Sequence, residues 1–313
     1  MDHATPLVVD TDPGIDDALA LLLAVRWRKC RLLAVTTTFG NHYLDTVTRN
    51  ARLILDRGPS AAPVTPGADR PLKRELIVAR ETHGKQGLGD LDAPAAPAVR
   101  ASSDALHDVL ESLGGPVTLI TLGPLTNLAH ALHRDAALVR SRVTKHVAMG
   151  GNIAAPGNTG PHSEFNVWCD PEAAGEVFSA GLKSEMVGLD VTRQLVLPAA
   201  SVEKLAAHSD PDAQWLGKLL GFYVRFHQAQ EGLAGAVIND PLAIALALEP
   251  GWGETESFPL TVDLGDGPDR GRTTAGGAAP PVKAYRAFDH AMVHDLLLEH
   301  LFGRWLTRAD FRP

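Results

Sequence analysis

Apolar, β-branched runs and amphipathic stretches take turns along most of this chain. The runs at 7–9, 32–38, 117–122, 145–149 and 184–189 show no polar face, which predicts strands buried on both sides. Between them, at 16–28, 45–57, 103–113, 125–132 and 171–180, apolar residues fall three and four apart, the spacing of a helix with one buried face. Doubly buried strands alternating with helices predict the α/β class: a mainly parallel, Rossmann-like central sheet covered by helices. Beyond Pro198 the pattern turns more helical, at 201–207, 212–230 and 241–248. Strand patterns return at 257–264, 271–275 and 282–287 before a closing helix at 289–301. No fixed-period repeat or low-complexity linker breaks the series, and the PAAPA stretch at 94–98 reads as a loop. Residues 1–313 are therefore expected to form a single domain.

The first strand runs into an unusual concentration of charge. In TPLVVDTDPGIDDALALLLA, at 5–24, four aspartates occupy eight residues where the strand gives way to a helix. Ligands of open parallel sheets collect beyond the carboxyl ends of the strands, where Asp10 and Asp12 lie. Two residues apart on an extended chain, these two point to the same side. Pro13-Gly14 then turns the chain, and Asp16 and Asp17 fall in the first helical turn. They lie about 100° apart around the axis, so one is expected to reach a metal and the other something beside it. Clustered oxygen donors suit Ca²⁺ or Mg²⁺ rather than zinc. Helix capping accounts for one or two acidic residues here, not for four split by a turn. A phosphatase of the haloacid dehalogenase type also opens with D-x-D at a strand end. Such enzymes normally continue with Thr or Val where this chain has Gly14, so the fit is poor.

Charge and composition narrow the partners. A net charge of −8 with no basic stripe argues against nucleic acid or an anionic membrane. The segment MDHATPLVV lacks the basic start and long apolar core of a signal peptide, and no apolar run reaches transmembrane length. The two cysteines, Cys30 and Cys169, are too few for a disulfide framework or a thiolate metal site. A cytoplasmic protein is expected.

DTDPGIDDA at 10–18 resembles the opening signature of the inosine-uridine preferring nucleoside hydrolases. TTTFGN at 36–41, PGADRPL at 66–72, HGKQGLGD at 83–90 and TLGPLTNLA at 121–129 follow in the order that family uses. So do AMGGN at 148–152, GNTGPHSEFNVWCDPEAA at 157–174, NDPLA at 239–243 and RGRTTA at 270–275. The resemblance implies the nucleoside hydrolase fold and calcium-dependent hydrolysis of the N-glycosidic bond of a ribonucleoside to ribose and free base. Carried over residue by residue, Asp12 binds Ca²⁺ and takes the proton of a metal-bound water. Asp17, Asp240 and the Leu122 carbonyl are further ligands, and Asp10 sits at the metal or just behind it. Asp16 accepts from the vicinal ribose hydroxyls, and Asn41 and Asn166 make further hydroxyl contacts. Asn158 and Glu164 hold the 5′ hydroxyl, and Met149 lines the same wall. A homodimer or homotetramer is implied by resemblance alone.

Two points stay open on the residues themselves. Asp-Pro recurs at 170–171, 210–211 and 240–241, each before a helical segment, and an Asp cap followed by Pro explains all three. Only family position sets Asp240 apart. The second point concerns the departing base. Many relatives carry His immediately before the last metal aspartate, where this chain has Asn239, whose amide can donate a hydrogen bond but not transfer a proton. Tyr223 and His227 are spaced to share one helix face. His227 is a candidate general acid, unless it is an ordinary surface histidine. His83, aligned with a family histidine near the base, is a second candidate, and His42 reads as incidental. The identity of the base, including a modified or C-linked one, stays open. The alternative from another class is a non-catalytic riboside-binding protein. Against it, every metal and ribose position is kept, and buried unpaired carboxylates are costly without a metal.

Overall fold

The computed structural model describes residues 4–311. Residues 1–3, part of the segment read above for a targeting signal, lie outside them. The strands are β1 (Thr5–Thr11), β2 (Cys30–Thr37), β3 (Val64–Pro66), β4 (Val117–Thr121), β5 (Val143–Met149) and β6 (Glu185–Val187). They continue with β7 (Val196–Pro198), β8 (Gly235–Val237), β9 (Gly253–Val262), β10 (Thr273–Ala275) and β11 (Pro281–Phe288). Nine of them form one sheet in the order β10-β9-β11-β6-β5-β4-β1-β2-β3. Every pairing from β3 across to β11 is parallel, and β9 runs antiparallel to β11 and to β10. β7 and β8 form a separate antiparallel pair.

The sheet is buried on both faces, which is why its strands read as continuous apolar runs. Alternate residues of β1 go to opposite sides: Leu7 and Val9 join one core cluster, Val8 the other. The first helix, Ile15–Arg26, is buried from Ile15 through Ala24. It packs on the helices Leu44–Leu55 and Asn239–Leu248, so it needs apolar residues around most of its circumference. β1 pairs with β2 on one side and β4 on the other. Chain progression reverses between β1 and β4, and the crevice at their carboxyl ends is where open α/β sheets bind ligands.

Some boundaries differ from the sequence expectations for identifiable reasons. The helix expected at 125–132 runs as Thr126–Arg142, with a break at Asp135 (φ −155°, ψ 86°). The Asp135 carboxylate accepts the Leu138 N–H at 2.9 Å and so restarts the helix after the break. The strand expected at 184–189 shrinks to Glu185–Val187, because Gly188 already turns toward the next helix. The closing helix is α-helical over His290–Leu297 and then widens to a π-turn over Leu298–Phe302.

Candidate active site

Two helix starts meet at the switch point. Asp16 and Asp17 stand in the first turn of Ile15–Arg26, directly after β1, and Asp240 in the first turn of Asn239–Leu248. The two helices pack together. One carboxylate oxygen from each of Asp16, Asp17 and Asp240 comes within 4.8 Å of the others. Despite their angular separation, Asp16 and Asp17 bring one oxygen each to the same place, where Asp240 joins them from the second helix. Asp10 and Asp12, at the end of β1, are fully buried beside them.

Part of this charge is held by neutral donors. Asp17 accepts from Thr11 Oγ1 (2.5 Å), the Gly14 N–H (2.9 Å) and Asn41 Nδ2 (2.8 Å). Asp10 Oδ1 accepts from Thr36 Oγ1 (2.5 Å) and Asn127 Nδ2 (2.7 Å). Asp12 Oδ2 accepts the Asn41 N–H at 2.7 Å. Asp10 Oδ2 and Asp12 Oδ1 are buried with no hydrogen-bond partner. Among the described residues, no lysine or arginine forms a salt bridge with Asp10, Asp12, Asp16, Asp17 or Asp240. Burial therefore drives their proton affinities up, Asp10 to about 7 and Asp17 to about 6. For Asp12 and Asp240, burial and the neighbouring aspartates push the pKa well above the usual carboxylate range.

The backbone is shaped around the same group. A Cβ on Gly40 (φ +150°) would lie 2.0 Å from Asp12 Oδ2, and one on Gly123 would lie 2.6 Å from Asp12 Oδ1. Both loops approach the carboxylate more closely than any side chain allows. Leu122, one residue beyond β4, donates its N–H to the Asp10 carbonyl (2.8 Å), and its own carbonyl accepts from Asn166 Nδ2 (2.8 Å). A carbonyl oxygen retains a second lone pair, so that contact does not remove it from a ligand set. Buried oxygens without counterions, in a cradle sized for Asp12, suit a hard divalent cation.

The three Asp-Pro sites separate here. Asp170 caps its helix through the Ala173 N–H (3.1 Å), and Asp210 caps through Asp212 N–H (2.9 Å). Asp240 lies one residue inside its helix and makes no capping bond, the helix being preceded by Ile238.

A cavity of about 650 Å³ opens onto the aspartates, a volume suited to a small ligand. Asp16, Asn41, Leu122, Met149, Asn158, Glu164, Asn166, Tyr223, His227, His83, Asn239 and Asp240 all line it. Glu164 has a structural task as well: it caps the short helix Phe165–Cys169 through the Asn166 and Val167 N–H groups and also accepts from Gly151 N–H. Burial raises its pKa to about 7. Asn158 is exposed, with Oδ1 accepting the Phe165 N–H at 2.9 Å.

The chain matches the family described as "Inosine-uridine preferring nucleoside hydrolase" over residues 7–295. It is 40% identical over 253 residues to a "Pyrimidine-specific ribonucleoside hydrolase RihA" of Shewanella sp. (strain MR-7), covering 78% of each chain. The chain belongs to the inosine-uridine preferring nucleoside hydrolase family. It is also 36% identical over 249 residues to "Uridine nucleosidase 1" of Arabidopsis thaliana, covering 78% of this chain and 74% of that one. A solved plant nucleoside hydrolase (PpNRh1) superposes with a TM-score of 0.87 at 29% identity, covering 96% of this chain and 99% of the other. A purine-preferring ribonucleoside hydrolase from Gardnerella vaginalis gives 0.86 at 28%, covering 96% and 98%. As a family member the protein is an enzyme of the nucleoside N-ribohydrolase type.

In this nucleoside hydrolase cavity, beside the aspartates, Tyr223 OH (3.2 Å) and Asn239 Nδ2 (2.9 Å) both donate to Asp16 Oδ2, and Asn239 Oδ1 is buried without a partner. His227 is buried rather than a surface histidine, its ring 4.3 Å from that of Tyr223. His83 accepts the Ile15 N–H on Nδ1 at 3.1 Å, and burial takes its pKa down to about 3. It is therefore neutral, with its proton on Nε2. The His42 ring accepts the Tyr43 N–H on Nδ1 and donates from Nε2 to the Lys85 carbonyl, away from the aspartates. Three contributors have no individual sequence signal: Asn127 and Thr36, which hold Asp10, and Arg193, which lines the cavity. The first two lie inside quoted motifs, but side-chain direction was needed to connect them to Asp10. Among the described residues no helix is long and apolar enough to cross a membrane.

Proposed function

We propose that the protein hydrolyses the N-glycosidic bond of ribonucleosides with a Ca²⁺ ion held by Asp12, Asp17, Asp240 and the Leu122 carbonyl, with Asp10 at or behind it. The observation that carries this reading is a set of buried carboxylates with no lysine or arginine partner among the described residues, of which Asp16 and Asp240 line a nucleoside-sized cavity and Asp10, Asp12 and Asp17 lie behind them. When bound, the ion supplies Lewis acidity toward the attacking water and fixes the charge of its carboxylates.

The chain's own residues divide the remaining work. Asp12, whose proton affinity is raised by burial and by Asp17, takes the proton of the water that attacks C1′. Asp16 accepts from the 2′ and 3′ hydroxyls, exchanging the hydrogen bonds it now takes from Tyr223 and Asn239. Asn41 and Asn166 contact the ribose, Asn158 and Glu164 receive the 5′ hydroxyl, and Met149 packs on the sugar. On the base side, His83 is a neutral N–H donor and His227 the proton donor. Asn239, unable to transfer a proton, orients the base through its unpartnered Oδ1. The pyrimidine-specific and uridine-acting names of relatives at 40% and 36% identity favour a pyrimidine base. A homodimer or homotetramer acting in the cytoplasm fits the same reading.

Base release from inosine, adenosine, guanosine, uridine, cytidine and p-nitrophenyl riboside, before and after chelation, tests it. Chelator-sensitive hydrolysis that is fastest on uridine or cytidine is the expected result. Silence across the panel by a calcium-loaded protein would overturn it.

A further inference from the structure

Behind His227, the base side of the cavity contains a carboxylate and a guanidinium that the reaction as described does not use. His227 Nδ1 lies 2.9 Å from the Tyr223 carbonyl, which can only accept, so Nδ1 carries the proton and Nε2 is the nitrogen left for chemistry. One turn on, Glu231 Oε1 lies 3.8 Å from that Nε2, an ion contact rather than a hydrogen bond. The other oxygen, Oε2, accepts from Arg193 Nη2 at 2.9 Å. Arg193 is itself anchored, donating to the carbonyls of Pro156 (3.0 Å) and Gly157 (3.1 Å). Gly157, Arg193, His227 and Glu231 all line the cavity. The Glu231 and Arg193 side chains keep only 20% and 22% of their exposure, so the arrangement is fixed rather than a loose surface pair.

Everything packed on His227 bears on its charge. Burial, the largest influence, together with Arg193 brings its pKa below the ordinary imidazole value, while the Tyr223 carbonyl and Asp16 work in the opposite direction. His83 is neutral, and Phe226 contributes only its ring edge or face. His227 also sits in the last turn of Pro211–Glu231, with its carbonyl capped by the Gly232 and Leu233 N–H groups. The negative end of a helix favours a cation there. Glu231 is the remaining carboxylate within reach of Nε2, and Arg193 decides where it points.

We propose that Glu231, held by Arg193, is a positioning residue that steadies the protonated His227 ring, oriented by its Nδ1–H bond to Tyr223, and leaves its Nε2–H unbonded for the departing base. The assignment rests on the glycosidase reading above. As the C1′–N bond breaks, its electron pair goes to the base, and the base takes the proton from Nε2. His227 becomes neutral and regains a proton from solvent. Meanwhile the water oxygen bonds C1′ and its proton goes to Asp12.

The test compares two leaving groups in wild type and Glu231→Gln: uridine, or the best natural nucleoside of the panel, and p-nitrophenyl riboside, whose phenolate departs without a proton. Glu231→Gln is expected to lower kcat on the nucleoside about tenfold, a fraction of what general acid catalysis contributes. KM and turnover of p-nitrophenyl riboside should stay within about twofold, since neither depends on that proton. Glu231→Asp should recover part of the loss. Arg193→Lys, which replaces a planar fork by one flexible donor, should give a smaller loss with the same selectivity. These two variants carry the comparison if Glu231→Gln does not fold. Equal losses on both substrates, or no loss on the nucleoside, would overturn the assignment. Failure of the wild type on both substrates would overturn the glycosidase reading itself.

Discussion

Glu185 and the aspartate cluster are both buried acids at the sheet, and they are handled in opposite ways. Glu185, on β6, has Lys283 Nζ at 3.0 Å, Lys145 Nζ at 3.3 Å and the Tyr285 hydroxyl at 2.8 Å. Burial pushes its pKa up, but the two lysines and Tyr285 outweigh that and bring it below the usual carboxylate value. Among the described residues, Asp12, Asp17 and Asp240 have no lysine or arginine partner, and burial takes them the other way. A carboxylate that serves the fold arrives with its own cations. A group of carboxylates left without them at a strand end has the donors to suit a cation from outside.

The largest effect that can break this contrast is at Asp12. Asp12→Asn should lower kcat about a thousandfold while the chain folds, as circular dichroism would report. If hydrolysis persists near the wild-type rate, the base is elsewhere. Gly40→Ala comes next: with a Cβ 2.0 Å from Asp12 Oδ2, the carboxylate must move. A displacement near 1 Å costs about a hundredfold, so steady-state rates should fall by that order with less effect on stability.

The two acid sites should also respond oppositely to pH in the chelated protein. Asp10 and Asp17 have folded pKa values of about 7 and about 6, above the ordinary 3.8. The folded state binds more protons between those limits, so stability is greatest below the ordinary value and declines as pH rises through 6 to 7. Glu185 contributes the reverse: stability present above its ordinary pKa of 4.5 and lost as pH falls through its lowered one. Thermal melts of the chelated protein from acid to neutral pH should therefore show declining stability, and calcium should abolish the decline. At Glu185 itself, Glu185→Gln leaves Lys145 and Lys283 facing a neutral amide. It should cost about 2 kcal/mol by denaturant unfolding with uridine hydrolysis unchanged. The smallest effect is at Asp210, where Asp210→Ala removes only a helix cap and should cost about 1 kcal/mol with activity intact. Asp240→Ala, from an identical Asp-Pro context, should abolish activity.

Much of this arrangement is legible in the sequence. Strands buried on both faces announce themselves as apolar runs, and four aspartates in eight residues exceed what a helix start needs. What stays hidden depends on tertiary direction. β3 and the β7–β8 pair have three residues per strand, too few for a period to show. Asp170, Asp210 and Asp240 read alike because a cap depends on where the helix begins, and only Asp240 lies inside its helix. His227 could be exposed or buried on its spacing alone. Its burial against Tyr223 on the cavity wall is set by how the helix Pro211–Glu231 packs, which spacing does not show.

Thermal unfolding near neutral pH, with saturating calcium and then with chelator, bears most directly on the aspartates. Calcium should raise the melting temperature by several degrees, as binding at a hundred times Kd adds about 2.7 kcal/mol, and Asp240→Asn should remove most of the shift. An unchanged melting temperature at saturating calcium would contradict the cation site and leave the buried aspartates without a counterion.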